Sequence, residues 1–405
     1  MTDVTVIGGG ASGLALAVML KQQKPYLRVD VLEQLERVGK KLSVTGNGRC
    51  NITNLDLNNR YYSNSLPQAM QILNSFSYKQ TESFFSNIGV EFLPEGKKVY
   101  PRSLQASSVV DALRFSAESM GVNIKIGFRV ESLTKDKNAF CINNEFFSKT
   151  AVVAAGGLAG GSRLGSNGDG YYLLKKFGHK IFEQKPVIVQ IKTQNSVTKR
   201  LKGIKANALV TVHCGSALKF SEFGEVLFCD YGLSGPAVMQ LSRHCENGGI
   251  IELDLFNDYD ENKLYNLILK RRSIFQSYEL NQFFCGLLQK RLGQAVLFSL
   301  DLKLSNNADT LSDNDCKRLA FTLKHFKFQI TGNTGFLNAQ ATSGGADLTQ
   351  FGTKTLMSES VPGLFAIGEV LDVDGDCGGF NLQWAWSSAF TASRGIISYL
   401  KESKK

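Results

Sequence analysis

The sequence predicts an α/β protein: one α/β domain in two sequence pieces, interrupted by a β part and a helical part. Three observations predict it. Val4-Thr5-Val6-Ile7 is a short β-branched run that enters a glycine-rich turn, a helical pattern and a second apolar run. That is a βαβ unit, which implies a parallel sheet. From about Pro186 the chain alternates in the β manner, and residues 260–328 then read as helices. A glycine-rich segment and a helix, Trp384 to Leu400, close the chain.

Composition bounds the reading. The chain has 405 residues, 43% hydrophobic and 20% charged. At about 100–200 residues per domain, that predicts two to four domains and a large unstapled core. Disorder and fibrous repeats are excluded. No apolar run reaches the ~18 residues of a membrane span, and Met1-Thr2-Asp3-Val4 does not begin a secretory signal. The eight Cys form no C-x-x-C pair. This argues against a zinc ribbon, a thioredoxin-type motif or a disulfide scaffold, and for reduced thiols in a cytoplasm. Net charge is 46 − 36 = +10, and residues 185–335 carry 19 Lys/Arg against 14 Asp/Glu, or +5. The tightest clusters are Lys270-Arg271-Arg272, Lys199-Arg200-x-Lys202 and Lys401/Lys404/Lys405. They read as solvated faces rather than as a nucleic-acid surface. Oligomeric state is not legible.

The elements follow in order. Val4–Ile7 runs into Gly8-Gly9-Gly10-Ala11-Ser12-Gly13, and Leu14, Ala17, Val18 and Lys21 keep helical spacing. Gly8-x-Gly10-x-x-Gly13 therefore follows a strand and opens a helix, the context that a dinucleotide-binding turn requires. One glycine permits the tight turn, one lets a pyrophosphate reach the backbone, and one lets helix pack on strand. The helix N-terminus faces the anion. A second strand, Arg28–Glu33, ends in a carboxylate placed to accept ribose hydroxyls. Glu33 repels a 2′-phosphate, so NADP is disfavoured there, which leaves NAD or FAD. Residues 34–65 form a long polar loop, and a loop of that length is normally functional. Helical patterns follow near 66–88 and 105–120. Short strands occupy 122–154 and end in Ala151-Val152-Val153-Ala154-Ala155-Gly156-Gly157.

The polar loop carries a resemblance. Gly39-Lys40-Lys41-Leu42-Ser43 with Thr45-Gly46-Asn47-Gly48-Arg49-Cys50-Asn51-Ile52-Thr53-Asn54 resembles the signature of a bacterial flavoprotein family. That family includes aminoacetone oxidase-like proteins and dehydro-bile-acid reductases. Further matching blocks are Val99–Ser103, Gly168-Asp169-Gly170, Gly224–Phe228 with Gly232–Ala237, and Pro362–Gly375 with Gly378–Ala385. The resemblance spans nearly the whole chain. It implies a Rossmann-like FAD-binding domain, residues 1–186 and 341–405. It also implies an inserted β-barrel-like domain, 187–258 plus roughly 329–340, and a helical domain, 259–328. It implies cofactor contacts from Gly8, Gly10, Ala11, Ser12, Gly13, Glu33 and Gln34. Lys40, Lys41, Thr45, Gly46, Arg49, Cys50 and Asn51 follow in the polar loop. Val130 matches the position that pairs backbone with adenine, and Ala155 and Gly156 follow the apolar run that ends the short strands of 122–154. Gly368, Glu369 and Asp372 match the step that meets the ribityl chain and pyrophosphate. Gly379, Phe380, Asn381 and Leu382 open the last helix toward the flavin N1/O2 edge.

The implied activity is an FAD-dependent oxidoreductase, with NAD(P)H-linked reduction of an activated small molecule through flavin N5. The alternatives are an amine oxidase that uses dioxygen and, more remotely, a flavin-dependent RNA-modifying protein. No second strand–G-x-G-x-x-G–helix unit exists, so NAD(P)H is expected only as a transient donor. Four positions depart from the family pattern: Cys229, Asp230, Asn47 and Ala389. Cys50, the four His and both Trp read as structural, and no metal spacing exists. No catalytic acid or base is assigned.

Overall fold

The computed structural model describes residues 1–63, 67–137, 139–194, 197–214 and 218–403. The chain divides into two units, Met1–Pro186 with Phe336–Lys405, and Val187–Gly335.

In the first unit the β-branched run Thr2–Ile7 is the central strand of a sheet. Val29–Leu32 lies parallel to it on one side, with Val4 opposite Val29, and Asn123–Lys125 lies beyond. Phe146–Val153 lies parallel on the other side, with Val4 opposite Thr150. The free edge of that strand pairs in parallel with Leu364–Ala366 and antiparallel with Ala139–Ile142. The chain thus leaves the first strand toward one side and returns on the other. That creates a topological switch point at the carboxyl end of Thr2–Ile7, where doubly wound sheets bind ligands.

Two helices pack together beside this sheet, Ala11–Gln23 and Phe380–Glu402. The expected helical stretch near 66–88 forms two helices, Pro67–Ser75 and Tyr78–Ser86; residue 66 lies outside the described residues. The break comes at Ser77, whose N–H is taken by the Gln80 side chain at 2.9 Å, a helix start. A small antiparallel sheet joins Thr53–Asn54, Lys98–Pro101 and Phe92–Glu95.

In the second unit, strands Ile191–Thr193, Lys205–Cys214, Leu218–Cys229, Gly232–Ser234, Ile250–Asp254 and Phe326–Asn333 close into a barrel. The last of them shows why: Phe326, Phe328 and Ile330 point inward and alternate with exposed residues. Helices Glu261–Ile274, Lys290–Ser299 and Asp313–Lys324 are inserted before that strand. Their Leu264, Ile268, Val296 and Leu319 share one apolar core with Val210, Phe228 and Leu253 of the barrel. Among the described residues, no helix is long and apolar enough to cross a membrane.

Candidate functional site

A cleft of about 1200 Å³ of empty space, its solvent mouth included, lies in the first unit. It opens where three parallel strands end: Ile7 and Gly8, Leu32 and Glu33, and Ala154, Ala155 and Gly156 all line it. This is the switch point of the sheet.

The three motif glycines have separate reasons. Gly8 has φ +112°, and a Cβ there would collide with the Ala154 carbonyl oxygen. A Cβ on Gly13 would collide with the Gly8 carbonyl oxygen, so Gly13 seals helix against strand and faces away from the cleft. A Cβ on Gly10 would meet nothing within 4 Å. Gly10, Ala11 and Ser12 line the cleft at the start of the first helix. The first turn of that helix carries no acidic residue, so its positive dipole end is unopposed. Bare backbone, open space and free N–H groups are what a pyrophosphate needs. The residues fit the cofactor that the turn implies.

Glu33 is buried. One carboxylate oxygen accepts from Gly9 N at 2.9 Å and the other from Leu35 N at 2.9 Å. Burial pushes its pKa up, while the donors at Leu35 and Gly9 pull the other way. Each oxygen keeps further lone-pair capacity for a hydroxyl. Gln34 lines the cleft beside it and donates to the Gly165 carbonyl at 2.8 Å.

Lys40, Lys41 and Thr45 line another wall. Lys41 Nζ lies 2.6 Å from Glu369 Oε2, and Glu369 Oε1 accepts from Thr342 N at 2.8 Å. Gly156, Glu369, Asn381 and Leu382 complete the wall, together with Val130. Fifteen-odd sequence-predicted contacts therefore converge on one cleft, drawn from both ends of the chain.

The other predicted residues stand behind that surface. Gly368 has φ +73°, and a Cβ there would sit 2.5 Å from Ser12 Oγ. Its N–H donates to Ser388 Oγ at 3.0 Å, and its carbonyl accepts from Trp384 Nε1 at 3.0 Å. Asp372 is buried and accepts from Gly344 N at 2.9 Å. Gly46, Arg49, Cys50 and Asn51 do not line the cleft. Arg49 pairs with Glu95 and lies 4.2 Å over the Tyr100 ring. Cys50 is fully buried, and desolvation pushes its thiol up to about 12. Asn51 Oδ1 accepts from Val99 N at 3.3 Å. This stretch braces the start of the last helix. Asn54 Nδ2 donates to the Gly378 carbonyl at 2.8 Å, and a Cβ on Gly379 would stand 2.6 Å from the Thr53 carbonyl oxygen. Phe380 stacks on Tyr61 at 4.4 Å, and Asn381 clamps both backbone groups of Gly375 at 2.8 and 2.9 Å. Asn47, where the family pattern has Gly, sits at φ +55°, a conformation that Asn tolerates. Asp230, another departure, pairs with Lys202 at 2.7 Å in the second unit.

Several lining residues escaped the sequence reading. Phe128, Arg129, Leu164, Ser166 and Asp169 line the cleft near Val130 and Gln34, and Gln340, Trp384 and Ala385 line it elsewhere. Asp169 stood within a family-like block, so a signal existed. Gln340 lies in no motif. Trp384, expected in the core, is buried and also lines the cleft. No His lines it. His179 is buried against Phe351, and burial holds its pKa down.

Comparison with known proteins agrees with this geometry. The HI0933-like protein Rossmann domain matches residues 2–395. A 3-dehydro-bile acid delta(4,6)-reductase of Clostridium scindens is 32% identical over 404 residues, 97% of this chain and 98% of its own. A ribosomal RNA dihydrouridine synthase of Escherichia coli is 28% identical over 403 residues, 98% of each chain. The open conformation of a flavocytochrome c3 fumarate reductase matches with a TM-score of 0.52 at 13% identity, over 98% of this chain and 78% of that one. That likeness shows the fold alone. The protein is an FAD-dependent oxidoreductase, and its chain belongs to the HI0933-like family of FAD-binding Rossmann proteins.

Proposed function

We propose that the cleft holds FAD and that the protein reduces a small-molecule alkene conjugated with a carbonyl, with NAD(P)H as a transient electron donor. One observation carries the reading. The nucleotide turn and the start of the last helix open into the same cleft, through Gly10, Ala11 and Ser12 on one side and Asn381 and Leu382 on the other. Two helix N-termini in one cleft suit a dinucleotide with an anionic middle and an electron-poor far end. Gly8, Gly10, Ala11 and Ser12 would hold the pyrophosphate, Glu33 the ribose hydroxyls and Val130 the adenine. Lys40, Lys41, Thr45, Ala155, Gly156 and Glu369 would line the middle, with Asp372 behind them. The flavin, when bound, supplies a hydride carrier at N5. The chain's part is to bind, orient and exclude water. Cys50 takes no part as a nucleophile, because its thiol is buried and held protonated.

The substrate class draws on the relatives' names. A delta(4,6)-reductase of a 3-dehydro bile acid and a dihydrouridine synthase both saturate an alkene conjugated with a carbonyl. The test is an absorption spectrum followed by anaerobic NADH and NADPH, then an enone. Flavin bands that bleach with a nicotinamide and return with the enone are expected. Bands that bleach only with an amine and return with dioxygen would replace the reading with an oxidase. Colourless protein that cannot be reconstituted with FAD would remove it.

A second reading, an RNA substrate, has one observation in its favour. In the second unit, Arg291 donates to the carbonyls of Arg200 and Lys202. That brings Lys199, Arg200, Lys202, Lys290 and Arg291 onto one exposed face, with Asp230 paired to Lys202. By contrast, Arg271 and Arg272 of the other cluster are used on the carbonyls of Phe283 and Leu311. Salt-dependent RNA binding, lost when Arg200 and Arg291 are replaced by Glu, would favour this reading.

A further inference from the structure

We infer that Arg129, Asn167 and Asp169 form, with Gln34, a latch that holds residues 161–168 against the adenylate end of the cleft and sets how fast FAD leaves. The inference rests on the assignment of the cleft to FAD. Three segments distant in sequence meet there, and each lines the cleft: Gln34 and Leu35, Phe128 to Val130, and Leu164 to Ser166 with Asp169. Their polar side chains are spent on one another. Arg129 Nε and Nη2 donate to the two Asp169 oxygens, each at 2.8 Å. Asn167 Nδ2 donates to Asp169 Oδ2 at 2.8 Å and to Gln34 Oε1 at 2.9 Å. Gln34 Nε2 donates to the Gly165 carbonyl at 2.8 Å.

The held segment is rich in glycine, which restrains its own backbone little. Gly160, Gly161, Gly165 and Gly168 all have positive φ. Short local bonds shape it, from Gly165 N to Ser162 O and from Ser166 N to Gly161 O, each 3.0 Å. The side-chain network is what ties it to the two neighbouring segments. The bidentate pair sits at the rim, with side-chain exposures of 55% for Arg129 and 25% for Asp169. Solvent screens it there, so it opens at modest cost. The Arg129 guanidinium holds the Asp169 carboxyl below its ordinary range, so the pair is charged at neutral pH.

A latch at this end acts on the adenylate half of the cofactor and not on the flavin half. That separates it from general packing. The test compares holoprotein with Asp169→Asn and with Asn167→Ala, whose side chain does not line the cleft. Three quantities are read: the FAD release rate from flavin fluorescence after dilution, and the inhibition constants of ADP and of FMN against FAD rebinding. We expect Asp169→Asn to release FAD about five- to tenfold faster, in keeping with the loss of one charge-assisted bidentate pair. ADP should weaken by a similar factor, and FMN should not change. Asn167→Ala should show the same pattern at about half that factor or more. Release rates unchanged in both variants would overturn the latch. So would equal weakening of FAD, ADP and FMN, which marks a general loss of packing. Wild-type protein that neither carries nor takes up FAD would remove the cofactor reading and the latch together, whereas failure of the latch alone leaves the wild-type flavin spectrum intact.

Discussion

The first and the last helix of the FAD-type unit bury similar faces by different means. Ala11–Gln23 is a run of Ala, Leu, Val and Met, and every residue from Ser12 to Lys21 is buried. Its position follows from local pattern: a strand, a glycine turn and aliphatic residues that have nowhere else to go. Phe380–Glu402 is buried along most of its 23 residues, yet Gln383, Ser387, Ser388, Thr391 and Ser393 are among the buried ones. Each finds a partner elsewhere in the fold. Gln383 Oε1 accepts from Thr53 at 2.6 Å and from Thr81 at 3.1 Å, while its Nε2 donates to the Phe76 carbonyl at 2.7 Å. Ser393 Oγ accepts from Gln23 of the first helix at 2.9 Å. The difference teaches that apolar burial is written locally, whereas a polar core is written only in the pairing of distant residues.

The first way to break the comparison is at the first helix. Gly13→Glu places a side chain where the Gly8 carbonyl already stands, on the side of the turn that faces away from the cleft. Strand and helix must part, at about 3 kcal/mol or more. The expected outcome is loss of bound flavin together with a lowered melting temperature, and a variant that keeps a full complement of FAD would refute the site. Next comes Gln383→Leu. It leaves the Thr53 hydroxyl without its buried partner, and it takes one of two partners from the Phe76 carbonyl, which keeps Ser387 Oγ, and from the Thr81 hydroxyl, which keeps the Ser77 carbonyl, for about 2–3 kcal/mol. Denaturant midpoints check it. If the last helix were held mainly by apolar burial, as the first is from Leu14 to Leu20, this substitution would be close to neutral.

What was legible tracks the same division. Gly8, Gly10, Gly13 and Glu33 lie within 26 residues, and one strand–turn–helix–strand pattern places them all. The alternation after Pro186 announced strands and the resemblance a barrel; its closure rests on pairings such as Ile191 with Asn333, which no local pattern holds. Gln340 and Ser166 reach the cleft by loops with no periodicity, and Leu164 by a single 3-10 turn, Ser162–Leu164. The polar loop divides between the cleft and the packing behind it. Arg49, Cys50 and Asn51 carry a specific signature, yet that stretch braces the last helix from behind, through Asn54 on Gly378 and Trp386 Nε1 on the Ile52 carbonyl at 2.9 Å. A signature marks residues that must be kept, and bracing is as good a reason as contact.

A smaller effect sharpens the comparison where the two helices touch the cleft together. Ser388 Oγ takes the Gly368 N–H, and Gly368 packs on Ser12 of the first helix. Ser388→Ala removes that acceptor from a buried amide, for about 1–2 kcal/mol. Stability should fall by that amount, and FAD affinity should fall with it, because Glu369 follows Gly368 directly. Ser388→Thr, which keeps the oxygen, should recover part of both. Equal stability in Ser388→Ala would mean that the amide finds another partner.

The smallest effect is a pH dependence confined to the first helix. Its entry is pinned by a titrating group, the Glu33 carboxylate on Gly9 N, whereas the Gln383 and Ser388 bonds titrate nowhere. Burial raises the Glu33 pKa above its usual value of 4.5. The folded state therefore holds that proton more tightly than the unfolded chain does. The contribution to stability is fully present below about pH 4.5 and declines as pH rises through the folded pKa, then stays level. In flavin-free protein, the stability difference between wild type and Glu33→Gln should fall across that acid window and flatten above it. Gln383→Leu should differ from wild type by the same amount at every pH. Adding FAD should shrink the Glu33 slope, because ribose hydroxyls donating to the carboxylate stabilise its charged form. A slope that FAD leaves untouched would place the ribose elsewhere and leave Glu33 with only its backbone partners.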